Sequence, residues 1–99
     1  MKHRADANQE GAVRYLRSLG MSVEVLSQTG NGCPDLIVGF HEINLLVELK
    51  NGDKPPSQQK LTQAQTDWHA AWGGTAIVAN SAEGVATAVI AECRKRGAL

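Results

Sequence analysis

Asp35, Glu48 and Lys50 stand at the two ends of one stretch, Gly-Cys-Pro-Asp-Leu-Ile-Val-Gly-Phe-His-Glu-Ile-Asn-Leu-Leu-Val-Glu-Leu-Lys, which runs from Gly32 to Lys50. Folded as a hairpin about His41-Glu42, it sets Phe40 against Ile43, Val38 against Leu45, Leu36 against Val47 and Asp35 against Glu48. Side chains alternate across a strand. One face therefore carries Leu36, Val38, Phe40, Ile43, Leu45, Val47 and Leu49, and reads as core. The other carries Asp35, Ile37, Gly39, Asn44, Leu46, Glu48 and Lys50, so two carboxylates and one ammonium converge at one end of it.

Each fragment alone has an ordinary explanation. A Glu-x-Lys at a strand end is often a solvated edge, and Pro-Asp is a common turn opener. Together they bring two acids face to face, and like charges opposed across strands are destabilising. Without a cation between them, one carboxyl should have a raised pKa rather than both standing as stable anions. A hard divalent cation removes that conflict, because Mg²⁺ binds through one or two carboxylates, waters and phosphate oxygens. The chemistry expected here is therefore that of a divalent-metal site.

The elements that must position these residues can be set out in chain order. Residues 5–19 read as a first helix, with Asp6 as N-cap, Gly20 as stop and Ala12, Val13, Leu16 and Leu19 as the apolar stripe. Glu10 lies about 60° round from Val13 at helical geometry, facing either the sheet edge or water. Residues 21–28 alternate weakly and read as a first strand, and 29–32 form a loop. The two glycines of that loop either make the turn or let the backbone approach a ligand closely. The hairpin 35–49 supplies two further strands. Residues 51–56 read as a mobile, helix-breaking loop carrying Lys54 beside the site.

Thr62-Gln63-Ala64-Gln65 is a capping box that opens a second helix. Gln65, Trp68 and Trp72 share one side of it, so Gln65 is either a cap or a residue aimed at the sheet. Gly73-Gly74 ends that helix, 75–79 reads as a short buried strand, and Ser81 caps a third helix over roughly 82–96. The middle of the third helix is apolar nearly all round. The order is α-β-β-β-α-β-α, an α/β chain with a mixed four-stranded sheet flanked by helices. We expect a single domain over 1–99.

Bulk composition bounds the rest. The chain has 99 residues, 42% of them hydrophobic and 20% charged, which excludes a disordered tail and permits a core without staples. No apolar run approaches a membrane span and no signal-peptide core follows the N-terminus, so a cytoplasmic protein is expected. Cys33 and Cys93 are too few for a disulfide framework, and no Cys/His spacing suggests zinc. The formal net charge is zero, yet every Lys and Arg lies in 2–17, 50–60 or 94–96. Such clustering permits nucleic-acid binding and is equally an ordinary solvated face. His3, His41 and His69 are scattered, with no Ser/His/Asp or Cys/His arrangement to compete with the acidic site. No organic cofactor is expected.

The ordered set Gly32-x-Pro34-Asp35, Glu48-x-Lys50 and Thr62-x-x-Gln65-x-x-Trp68, with Glu10 ahead of Gly20, resembles the virus-type replication-repair nuclease (VRR-NUC) family of the PD-(D/E)xK superfamily. The likeness spans residues 10 to about 90. It implies a restriction-endonuclease-like core, with Asp35, Glu48 and the Leu49 backbone carbonyl as ligands of Mg²⁺ or Mn²⁺. It further implies that Lys50 orients or activates the attacking water, that Gln65 is an accessory active-site residue and that Glu10 is a second-shell or second-metal acid. The chain departs from the pattern at Gly30-Asn31-Gly32-Cys33, where many relatives are basic. Phosphate contact would then fall to Lys54, Lys60 and the N-terminal arginines, among them Arg14 and Arg17.

The expected activity is metal-dependent hydrolysis of DNA, on branched or junction DNA, by a homodimer. The dimer rests on the apolar third helix, which needs cover, and on the single acidic centre per chain. The alternatives are a monomeric nicking or flap nuclease, a nucleic-acid-binding module that does not cleave, and a small structural partner subunit.

Overall fold

A computed structural model describes residues 7–99, in the order α1 (Ala7–Ser18), β1 (Ser22–Val25), β2 (Leu36–Phe40), β3 (Ile43–Leu49), α2 (Gln63–Ala71), β4 (Ala76–Ala79) and α3 (Ala82–Lys95). Asp6, the expected cap of α1, lies outside the described residues. The sheet runs β1-β2-β3-β4. β1, β2 and β3 are antiparallel neighbours, and β4 joins β3 in parallel, so the sheet is mixed as expected.

The hairpin takes the expected register: Phe40 pairs with Ile43, Val38 with Leu45 and Leu36 with Val47. Its turn is tight because His41 and Glu42 both adopt left-handed backbone, with φ of 49° and 68°. That geometry matches the twist of the flanking strands. Leu36, Val38, Leu45, Val47 and Leu49 are buried on one face, with Phe40 and Ile43 packed at the margin. α1 and α3 lie together over this face. They contribute Ala12, Val13, Leu16, Val85, Ala86, Val89 and Cys93 to the same core.

Four expectations need correction. The first strand stops at Val25 rather than continuing to 28: the Leu26 N–H still donates to the Asp35 carbonyl in register with the ladder, and the Thr29 N–H then donates to the Leu26 carbonyl and turns the chain. Leu19 leaves the α1 stripe and is exposed; Gly20, at φ 88°, ends the helix, and Met21 folds back into the core instead. β4 is not a buried strand. It is a sheet edge with a neighbour on one side, so Ile77 packs inward while Val78 stays 46% exposed.

The third helix does keep a solvated side. Glu83, Thr87, Ala91, Arg94 and Lys95 are exposed, while its apolar residues face the sheet and α1. The cover it needed is supplied within the chain. Its N-cap is the expected one, since Ser81 Oγ accepts from the Gly84 N–H at 2.9 Å.

Candidate active site

β2 and β3 present Asp35 and Glu48 side by side at the end of the sheet where α2 begins. Pro34, fully buried, anchors the chain entering β2. The Asp35 carbonyl pairs with the Leu26 N–H at 2.6 Å, and its side-chain Oδ2 accepts from the Leu49 N–H at 2.9 Å. Both ends of Asp35 are thereby fixed. Glu48 is 3% exposed on the sheet face away from the α1–α3 core.

Burial pushes the Glu48 carboxyl up to about 7. The charge of Asp35 adds to this, and Lys50 opposes it. Glu48 Oε1 is buried and, among the described residues, has no hydrogen-bond partner. A buried carboxylate oxygen left in this state is costly.

Lys50 and Gln65 complete the cluster. Lys50 Nζ lies 3.7 Å from Glu48 Oε2, with its side chain only 14% exposed. It donates to Gln65 Oε1 at 2.9 Å. The other end of the same amide, Gln65 Nε2, donates to Glu48 Oε2 at 3.1 Å. Gln65 also performs the cap: its Oε1 accepts from the Thr62 N–H at 2.9 Å, and its own N–H donates to Thr62 Oγ1 at 3.2 Å. The two readings of this residue hold at once. The fold of α2's first turn and the geometry of the acidic pair share one side chain.

Gly32 explains how α2 comes so close. Its φ is 82°, and a Cβ there would collide with the Ala64 carbonyl and lie 3.0 Å from the Gln65 nitrogen. The expectation for this loop was a turn or an approach to a ligand; the close approach at Gly32 is made to α2.

The remaining candidates are more dispersed. Glu10 is exposed and lines a cleft of about 260 Å³ with Arg14, Arg17, Gln9, Val13 and Val25. It does not join Asp35 and Glu48, because among the described residues no three His, Cys, Asp or Glu gather as a metal cluster. Arg14 and Arg17 belong to α1; Arg17 Nη2 donates to the Val23 carbonyl at 2.8 Å, along the β1 edge. Lys54 and Lys60 are exposed on the segment between β3 and α2.

That segment is not a loose loop. A short 3₁₀ turn, Pro56–Gln58, sits within it. Gln59 Nε2 donates to the carbonyls of Lys54 at 2.7 Å and Gly52 at 3.3 Å, while its Oε1 accepts from Asn80 Nδ2 at 3.2 Å. Nothing in the sequence marked Gln59, because its contacts depend on where the loop meets the end of β4. Buried Gln9 was also overlooked, although Gln9, Ala12, Val13 and Leu16 follow the i, i+3, i+4, i+7 spacing of a core stripe.

The donor set suits a hard cation. Two adjoining carboxylates, one with a buried oxygen lacking a partner, match the few protein oxygens that Mg²⁺ takes, the rest being water and phosphate. The absence of thiolate or imidazole from the cluster argues against zinc.

Comparison of the sequence with protein-family models and with curated proteins gives no match. Among solved structures, a chain described as a VRR_NUC domain matches with a TM-score of 0.59 and 26% identity, covering 82% of this chain and 88% of that one. With that much of its backbone shared, and its motif residues gathered in one place, the chain has the fold of, and is similar to, a VRR_NUC nuclease domain.

Proposed function

We propose that the chain is a metal-dependent endonuclease acting on DNA, with Asp35 and Glu48 as the side chains that hold Mg²⁺ or Mn²⁺. The observation that carries this is the Asp35–Glu48 pair, half-buried Asp35 beside buried Glu48, whose Oε1 is unpartnered among the described residues, since nothing in binding alone requires two apposed acids. The Leu49 carbonyl, next along β3, is the proposed third protein oxygen. When bound, the cation supplies Lewis-acid activation of water and of the phosphoryl group.

The chain's own residues do the rest. Lys50 orients the attacking water and offsets phosphate charge as it develops in the transition state. Gln65 holds the Lys50 ammonium and one Glu48 oxygen in fixed positions, leaving Oε1 for the cation. Lys54 and Lys60 flank the site and take the phosphate backbone, with Arg14 and Arg17 as more distant contacts. Glu10 acts at most on that outer approach.

One chain carries one such centre, so concerted cutting of two strands takes two chains. We place the activity on branched or junction DNA, with a homodimer as the working unit. The cover that α3 finds against α1 favours a second reading, a monomeric nicking or flap nuclease. Four-way junction, flap, single-strand and linear duplex DNA should be offered with Mg²⁺ or Mn²⁺, alongside sedimentation equilibrium at micromolar concentration. Preferred cleavage of the junction by a dimer supports the first reading, and a 10.6 kDa species that nicks supports the second. A metal-loaded protein that cuts none of them is a binding module.

A further inference from the structure

α2 buries none of its residues. Gln65 touches Glu48 and Lys50, and by helical spacing Trp68 and Trp72 follow it along the same side of the helix. These two indoles stack, with ring centroids 4.6 Å apart and planes within 15°. Trp68 is half-buried and forms a T-shaped contact with His69, whereas Trp72 is 48% exposed at the helix end. Gly74 lies close to its pyrrole nitrogen: a Cβ there would be 3.0 Å from Trp72 Nε1.

We propose that the Trp68–Trp72 stack is a platform for the bases of an unpaired nucleic-acid strand lying beside the site, a role that rests on the nuclease reading above. Three observations favour a strand over a protein partner. The first is continuity. Gln65 to Trp72 spans about 10 Å of helix at the usual rise, roughly three base steps at 3.4 Å each. A strand with its backbone at Glu48 and Lys50 therefore has its neighbouring bases within reach of the indoles.

The second is chemistry. Flat aromatic faces stack on any base and need no sequence. The third is the placement of charge. α2 itself carries no Lys or Arg, while Lys50 and Lys60 precede it. Phosphates are thus drawn to the start of the helix and bases to its end. Paired bases do not expose their faces, so the platform selects DNA whose strands have separated near the cut.

The chain's only two tryptophans are this pair, so tryptophan emission, excited selectively over Tyr15, reports on the platform alone. The intact protein in EDTA should be titrated with a twelve-nucleotide single strand of thymidines and with a duplex of equal length. We expect quenching by the single strand and little by the duplex. Labelled-oligonucleotide anisotropy should show Trp72→Ala weakening single-strand binding about ten-fold, with Trp72→Phe restoring most of it.

Unchanged emission at concentrations where anisotropy shows binding would overturn the platform, and so would equal binding by Trp72→Ala. Loss of dimer on sedimentation of Trp72→Ala, with single-strand affinity intact, would make the surface a contact between copies instead. Because metal is absent, the outcome is separate from cleavage. DNA cutting without quenching removes the platform and leaves the nuclease; quenching without cutting does the reverse.

Discussion

Gln65 donates to Glu48 through the same side-chain amide that closes the cap of α2, so the acidic site and the helix start cannot be altered independently. Gln65→Ala should lower stability by on the order of 1 kcal/mol, the usual cost of a lost cap contact. It should also slow cleavage, because Lys50 loses its 2.9 Å acceptor. Gln65→Glu keeps an acceptor for the Thr62 N–H but sets a third carboxyl against Glu48. Melts and single-turnover rates on both variants check this: a pure cap predicts normal cleavage by Gln65→Glu.

Gly32 and Gly30 have similar left-handed φ values, 82° and 76°, yet Gly32 abuts the Ala64 carbonyl while a Cβ at Gly30 meets nothing. Gly30→Ala should cost roughly 1–2 kcal/mol for its backbone alone. Gly32→Ala adds a steric conflict of about 1–3 kcal/mol and pushes the first turn of α2 off the site. Denaturant unfolding and cleavage of the pair isolate the packing contribution. Equal behaviour of the two variants would mean that α2 yields freely.

Glu48 gives the metal-free protein a definite pH dependence. Its carboxyl rises from 4.5 to about 7 on folding, so between those values the folded state binds more protons than the unfolded one. Its contribution to stability is complete below 4.5 and is lost as pH rises through 7. Glu48→Gln should abolish this slope in unfolding measured in EDTA. A cation must displace the proton, so Mn²⁺ affinity of the wild type should increase from pH 6 to pH 8.

How much of this was legible in the sequence follows from the range of each interaction. The hairpin was, because period-two alternation on both sides of His41-Glu42 permits one register that buries Leu36, Val38, Leu45 and Val47 together. Asp35 and Glu48 follow from that register, and Gln65 from its cap motif. α3 misled, because apolar periodicity records how much must be buried but not that α1 would bury it. β4 misled for a related reason: four residues do not disclose whether a strand is central or at an edge. Gln59 was invisible, since its partner Asn80 comes from a segment distant in the chain, whereas Gln9 was legible in the α1 stripe and was passed over because it is polar.

Lys50→Ala should reduce turnover far more than metal affinity, because in the proposed mechanism its ammonium, 3.7 Å from Glu48 Oε2, acts on water and phosphate rather than on the ion. Calorimetry with Mn²⁺ beside single-turnover cleavage separates the two. Collapse of metal binding along with activity would give Lys50 a structural part in holding the acidic pair.

The central claim is that Asp35 and Glu48 hold a cation which this chain uses to cut DNA. Asp35→Asn and Glu48→Gln are nearly isosteric, and the asparagine oxygen can still accept from the Leu49 N–H. Both should fold, and without metal be as stable as the wild type or slightly more so, one of two facing anions having been removed. The measurement is cleavage of a four-way junction by wild type and both variants, with Mg²⁺ and with EDTA. The account predicts cutting by the wild type with Mg²⁺ alone and none by either folded variant; near wild-type cutting by Asp35→Asn or Glu48→Gln would contradict it.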